Sequence, residues 1–222
     1  MTPPRPPHSL NHVAARVICI SRTFGAGGED VGRRVAEALG FRYIDEEIVE
    51  LAAEKAGLDH ETVADAEKRR SLAMQLLDGL AWTASATMTP SFRPSAFTGE
   101  AEAALIRAVI GETAERGDAV IVAHAASIAL VGRAEVLRVL VTAPPGVRAR
   151  RVAEKAAVDE AAGAKLVHDS DRDRAAYLKR FYNLAAELPT HYDLVVNSEF
   201  LSPEEAAALV VQASGIVTVA TD

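Results

Sequence analysis

Cysteine is almost missing from this 222-residue chain: Cys19 is the only one, so no disulfide can form within it and the sequence suits a reducing compartment. Cys19 lies in the apolar run Val17-Ile18-Cys19-Ile20, where it reads as a small buried hydrophobe and not as a reactive thiol. No stretch reaches 18 consecutive apolar residues, and residues 1–12, rich in proline, lack the apolar core of a signal peptide. A cytoplasmic protein with a disordered proline-rich arm is therefore expected, with no membrane partner. Basic residues are in deficit, 24 against 31 acidic, and a net charge of −7 leaves no global positive field to hold a nucleic acid. The six histidines are scattered without metal-ligand spacing, and one cysteine cannot build a thiolate zinc site, so no structural metal is expected. Neither Ser21 nor Ser127 sits in a Gly-x-Ser-x-Gly setting, and no internal repeat is visible.

What is present is an ordinary globular composition, 49% hydrophobic and 25% charged, enough for one sizeable core over residues 13–222. Residues 17–20 form a continuous apolar, β-branched run that reads as a strand buried on both faces, and residues 41–44, 119–123, 136–141 and 192–196 read as four further strands. Between them, apolar positions recur at helical spacing near residues 29–39, 99–116, 146–157, 159–167 and 170–184, with a last helix at 202–213. Asp45 is placed to cap a further helix running to Gly57. Alternating strands and helices predict an α/β doubly wound, five-stranded parallel sheet with helices on both faces. Ligands of such sheets bind beyond the carboxyl ends of the strands, so the loops after Ser21, Ile44, Ala123 and Val141 are where chemistry is expected.

The first of these loops carries the strongest signal. Ser21-Arg22-Thr23-Phe24-Gly25-Ala26-Gly27-Gly28 joins the first strand to the first helix and packs three glycines into four positions. Glycines let a backbone approach a ligand closely, and a helix N-terminus presents free amides with a favourable dipole, so the loop suits a phosphate; a flexible turn is the other reading. A Walker A loop needs lysine where Gly28 stands, and a dinucleotide fingerprint starting at Gly25 needs glycine where Asp30 stands. Each template fails at one position, and the loop by itself leaves both open.

Taken with other segments, the loop resembles the opening of the cytidylate kinase-like family, a divergent P-loop branch of the nucleoside monophosphate kinase fold. Ile18 to Gly28 resembles that family's strand followed by Ser-Arg, an aromatic residue and a Gly-rich turn. Phe41-Arg42-Tyr43-Ile44-Asp45 resembles its second strand with a terminal Asp, and Leu137 to Val141 with Arg148 and Arg151 resembles its fourth strand and the start of its lid. Asp171 to Tyr177 and Tyr192 to Asn197 resemble its closing segments. The resemblance implies a P-loop NTPase-like domain with a helical acceptor-side insertion at about 58–100 and a lid-like helical region at about 146–184. It implies ATP and Mg2+ as cofactors, and phosphoryl transfer to a small acceptor such as a nucleoside monophosphate.

By the same resemblance Ser21, Arg22, Gly25, Ala26, Gly27, Gly28 and His124 would hold the nucleotide, and Arg22, Asp45, Arg148, Arg151 and Arg174 would serve catalysis. Arg22 would stand in for the missing lysine, or else is a solvated residue flanking the helix. Arg148, Arg151, Arg172 and Arg174 would neutralise phosphates from the lid, where guanidinium suits oxyanions, or else are solvated helix residues. Asp45 would position the acceptor or a metal-bound water, or simply cap a helix. His124 falls in Ala123-His124-Ala125 where the family carries Gly-Arg-Gly, and would contact phosphate or base, or be held structurally in the sheet. Two rivals stand beside a kinase: a catalytically weak relative acting as a nucleotide-binding regulatory or interaction module, and a Rossmann-type dinucleotide binder. The apolar stretch from Leu72 to Trp82 suggests a homodimer contact or core packing.

Overall fold

The computed structural model describes residues 11–45, 99–122, 125–215 and 217–219. The expected helix beyond Asp45, the Leu72–Trp82 segment, almost all of the 58–100 insertion, and Ala123 with His124 lie outside the described residues.

Five parallel strands form the central sheet: β2 (Val17–Arg22), β3 (Arg42–Ile44), β4 (Ala119–Val122), β5 (Val136–Thr142) and β6 (Leu194–Asn197), in the order β3-β4-β2-β5-β6. A separate antiparallel pair joins β1 (Asn11–Val13) to β7 (Val217–Val219). The helices are α1 (Gly28–Leu39), α2 (Gly99–Arg116), the single turn α3 (Ala126–Ala129), α4 (Pro145–Ala156), α5 (Glu160–Tyr182) and α6 (Pro203–Ser214). No helix among the described residues is long and apolar enough to cross a membrane.

The unbroken apolar runs of β2 and β4 follow from burial on both faces, since parallel sheets are covered by their crossover helices. Val17 through Ile20 and Ala119 through Val122 are all fully buried. Alternate residues serve opposite layers. Ile18, Ile20, Val120, Val122, Val139 and Val141 pack with Val31 and Val35 of α1 and Val210 of α6, whereas Val17, Cys19, Ala119 and Ile121 pack with Val109 and Ile110 of α2. Cys19 is thus core, and burial pushes its thiol up to about 12, far from thiolate chemistry at neutral pH.

The lid-like region differs from its reading as three helices. After α4, Asp159 caps α5 by accepting the Ala162 amide at 2.7 Å, and α5 then runs unbroken for 23 residues where a break was expected near residues 168–169. No glycine or proline interrupts it there, and Asp169 pairs along the helix with Lys165 and Arg172, the one-turn spacing that supports a polar helical face. α4 and α5 pack closely at Gly163, where an added Cβ would fall 2.5 Å from the Ala149 carbonyl oxygen.

Candidate functional site

Strand β2 is central, with β4 on one side and β5 on the other, so the loop from Arg22 to Gly27 leaves the sheet at the point where strand order reverses. The loop is fastened at several points. The Thr23 amide donates to Val141 O at 3.1 Å, the Thr23 hydroxyl donates to Thr142 Oγ1 at 3.2 Å, and the Ala26 amide donates to Thr23 O at 3.0 Å.

Its three glycines have different reasons to be glycine. Gly25 (φ +82°) and Gly27 (φ +80°) are both left-handed, a conformation that costs other residues roughly 1–2 kcal/mol. At Gly25 a Cβ would also collide with the Arg148 carbonyl oxygen and Val152 Cγ2, each at 2.9 Å, so that glycine lets the loop press onto α4. A Cβ on Gly27 would meet nothing within 4 Å, and the residue lines the larger of the two cavities described below. Gly27 caps α1 without any side-chain hydrogen bond, so the helix N-terminus suits an anion, a need that the Glu29 carboxylate meets in part by accepting its own amide. Gly28 is glycine for a third reason: a Cβ there would lie 2.6 Å from Arg22 Cβ and 3.0 Å from Arg22 Cδ. The Arg22 side chain occupies the volume that a residue at position 28 would need.

Arg22 therefore crosses the N-terminus of α1. Its Nε donates to Glu29 Oε1 in a close ion pair, and its Nη2 lies 3.8 Å from Asp45 Oδ1. Asp45 in turn accepts the Tyr43 hydroxyl at 3.0 Å, and burial, the Asp45 charge and that bond all push the Tyr43 phenol up, keeping it a donor. Burial alone would raise the Glu29 carboxyl, but the Arg22 guanidinium outweighs it and holds Glu29 below the usual carboxylate range.

The remaining arginines divide sharply. Arg148 is buried, and Nε donates to Ala143 O, Nη1 to Phe24 O and Asp171 Oδ1, and Nη2 to Asp171 Oδ2, at 2.7–3.2 Å. It clamps α4, the glycine loop and α5 together. Arg151 donates from Nη1 to Ser198 Oγ at 3.1 Å and from Nη2 to Ser198 O at 2.7 Å. Arg174 is buried in a two-point pair with Glu187, at 2.7 and 2.5 Å, and the Tyr192 hydroxyl joins the same carboxylate. Arg172 is on the surface, paired with Asp169 and Asp173. Ser21 is fully buried beneath the loop and donates to Ser127 Oγ at 3.1 Å, so it ties β2 to α3.

Two cavities flank the loop. The larger, about 550 Å³, lies between Gly25–Gly27, α4 and the start of α6, with Arg151, Val152, Lys155 and Leu201 in its walls. The smaller, about 190 Å³, lies beside Thr23 and is edged by Asp171, Arg174, Leu178 and Glu187. Ser198 escaped the sequence reading: its hydroxyl donates to Ala26 O at 2.7 Å and accepts from Arg151, fixing the far side of the loop. The signal for it was its place just past the carboxyl end of β6. Among the described residues no group of three His, Cys, Asp or Glu side chains is arranged to hold a metal ion.

Comparison with known proteins agrees with this geometry. The model of the cytidylate kinase-like family matches residues 17–199. Among solved structures, an uncharacterized protein from Eubacterium ventriosum superposes with a TM-score of 0.61 at 16% identity, covering 89% of this chain and 97% of the other. Shikimate kinase from Bacteroides thetaiotaomicron superposes with a TM-score of 0.53 at 15% identity, again over 89% and 97% of the two chains. At such identities these likenesses establish a P-loop kinase-like fold. No curated protein matched the sequence.

Proposed function

The chain belongs to the cytidylate kinase-like family, and on that premise we propose that it binds ATP on the glycine loop and transfers a phosphoryl group to a small acceptor such as a nucleoside monophosphate. The observation that carries this reading is the junction of Gly27 with α1: a left-handed glycine with open space on its Cβ side, a helix N-terminus that Gly27 leaves without a side-chain cap, and the larger cavity alongside. In this reading the phosphates lie across the loop and the helix N-terminus, and the base fills the larger cavity against Val152 and Leu201. The acceptor approaches from the other side of the loop, where Thr23 borders the smaller cavity and Asp45 ends β3.

Phosphoryl transfer depends on positioning and on positive charge around the migrating group, so the cation that replaces the missing lysine decides the rate. Arg22 fills that role in our reading, because it alone of the loop residues carries a positive charge to the N-terminus of α1. Arg148 and Ser198 act indirectly, by holding the Phe24 and Ala26 carbonyls and hence the shape of the loop. Magnesium would enter with the nucleotide, since it keeps most of its water and needs only one or two protein carboxylates; Asp45 would serve as one of these only by exchanging its contacts with Arg22 and Tyr43 for the ion. Bound there it would offset charge on the phosphates.

A binding module without turnover is favoured by one specific observation: the guanidinium groups of Arg148 and Arg174 are already satisfied by internal carboxylates and carbonyls. The two readings separate in one experiment. A calorimetric panel of ATP, GTP, CMP, UMP and NAD, with and without magnesium, is followed by an assay of acceptor-dependent ADP release. ATP binding with release in the presence of one acceptor supports the kinase, binding without release across common nucleoside monophosphates leaves the module, and binding of NAD alone overturns both.

A further inference from the structure

We infer that Glu29 is a built-in competitor of the ligand's phosphate: it holds the Arg22 guanidinium and must release it when a phosphate settles on the helix N-terminus. The inference rests on the phosphate-binding reading of the loop, and adds to it a residue that sets which anions are strong enough to bind.

The argument begins with space. Because residue 28 has no side chain, the Arg22 stem lies over the first turn of α1, and a Cβ at that position would overlap it. Its head group is thereby delivered beside the amides that open the helix. The first turn of α1 also carries Glu29 and Asp30, so two carboxylates stand where an anion is to be received. These two are not equivalent. Asp30 leans away to Arg33, 3.5 Å off on the exposed surface, whereas Glu29 pairs closely with Arg22 Nε.

A carboxylate and a phosphate ask for the same partners. Both are oxyanions that a planar guanidinium binds through paired N–H donors, and both gain from the positive end of a helix dipole. Glu29 holds these advantages already, as a member of the turn itself. An incoming phosphate adds contacts with the loop amides and a larger charge, but it must displace the Glu29 carboxylate from Arg22 or share the guanidinium with it at close range. The Glu29 side chain is about one-third exposed while Arg22 is mostly buried, 35% against 16%, so the carboxylate is the partner with room to swing away. A weakly charged ligand gains nothing from that exchange, whereas a polyphosphate does.

The test uses the full chain and isothermal calorimetry at fixed pH and ionic strength, with three probes: tripolyphosphate, ATP with magnesium, and adenosine. The proteins are wild type, Glu29→Gln, Asp30→Asn, Arg22→Met and the double variant Arg22→Met/Glu29→Gln, each checked for folding by its thermal transition. Competition predicts that Glu29→Gln binds tripolyphosphate and ATP about tenfold more tightly, the scale of one charge-assisted bond that need no longer be broken, and leaves adenosine unchanged. Asp30→Asn removes the same charge from the same turn and should gain less than about threefold, since Asp30 does not hold Arg22. In the Arg22→Met background the gain from Glu29→Gln should shrink to that of Asp30→Asn, the non-additivity expected of directly coupled residues.

Equal gains from Glu29→Gln and Asp30→Asn would overturn the inference in favour of a general charge effect. Weaker binding in Glu29→Gln would overturn it in the opposite sense, by making Glu29 the residue that orients Arg22 for the ligand. The nucleotide reading is judged separately. Tighter tripolyphosphate in Glu29→Gln, with ATP no better than tripolyphosphate and adenosine silent, keeps the exchange and discards the nucleotide. ATP bound by wild type with Glu29→Gln unchanged discards the exchange and keeps the nucleotide; no binding of any probe by any variant discards both.

Discussion

Two arginine–carboxylate pairs flank the glycine loop, and they are alike only in name. Arg148 and Asp171 join at two points, and Arg148 also binds the carbonyls of Ala143 and Phe24, so every nitrogen of its head group donates inward. Arg22 instead meets two carboxylates, Glu29 and Asp45, that stand on different elements at the mouth of the site. A pair that also ties down the backbone is architecture; a pair whose partners are both side-chain anions at a helix N-terminus can trade one anion for another. The family resemblance implied catalytic roles for both, Arg22 in place of the loop lysine and Arg148 from the lid, and their surroundings separate them.

The largest effect that can break the comparison is expected at Arg148. Arg148→Met strips the loop of its clamp and leaves Asp171 without its partner, which should cost about 2–4 kcal/mol in chemical denaturation, somewhat less than a fully buried pair because Asp171 reaches solvent. Arg22→Met, which removes bonds to the side-chain carboxylates of Glu29 and Asp45 and not to backbone carbonyls, should cost less in the same measurement while weakening ATP binding. Similar losses of stability in the two variants would erase the distinction.

Next in size is Gly28→Lys, which restores the Walker lysine to the loop. The new side chain overlaps the Arg22 stem and should destabilise by about 1–3 kcal/mol, as overpacking does; Arg22→Ala in the same chain should recover most of it. Thermal midpoints of the three proteins check this, and a stable Gly28→Lys single variant would show that Arg22 does not own that volume. Gly27→Ala comes third, at about 1–2 kcal/mol for the left-handed backbone, with ATP affinity falling at least about tenfold because a methyl group is added to a residue that lines the larger cavity. Gly25→Ala should cost more stability than Gly27→Ala, since it meets α4 as well.

The smallest effect is in the acid limb. The Glu29 carboxyl is held below its ordinary value of 4.5, so its contribution to stability is complete above that pH and is lost as pH falls through the lower folded-state value. Wild type should therefore lose stability more steeply below pH 4.5 than Glu29→Gln, by a margin that salt diminishes because the pair is partly exposed. Parallel acid profiles would mean that Glu29 gains nothing from Arg22 in solution.

The sheet was legible because its signal is local: runs such as Val17-Ile18-Cys19-Ile20 and Ala119-Val120-Ile121-Val122 are apolar on both faces, and only double burial explains that. The loop was legible because three glycines at a strand-to-helix junction have few other uses. What could not be read is what depends on distant partners. Arg148 meets an aspartate 23 positions later and a carbonyl 124 positions earlier, and Ser198 bonds to Ala26 across 172 positions. Nor did any local pattern mark β1 and β7, three residues each, whose pairing joins residues some two hundred positions apart in the sequence, Asn11 with Val219. Even the differing reasons for Gly25, Gly27 and Gly28 need the third dimension, because their letters are identical.

That β1–β7 pair has a practical consequence. It lies by the amino-terminal end of β2, where the Ala15 amide donates to Ser214 O, whereas the glycine loop leaves the opposite end of the same strand. Asn11 and Val219 are register partners, so the first and last described strands finish side by side, well away from the ligand face. A short peptide bridging those two positions would close the backbone into a ring without crossing the sheet, and the ring could be reopened at the Gly132 turn, which carries a left-handed glycine and lies between α3 and β5. Such a circular permutant would keep every strand neighbour among the described residues and the whole loop while changing the order in which the elements are synthesised.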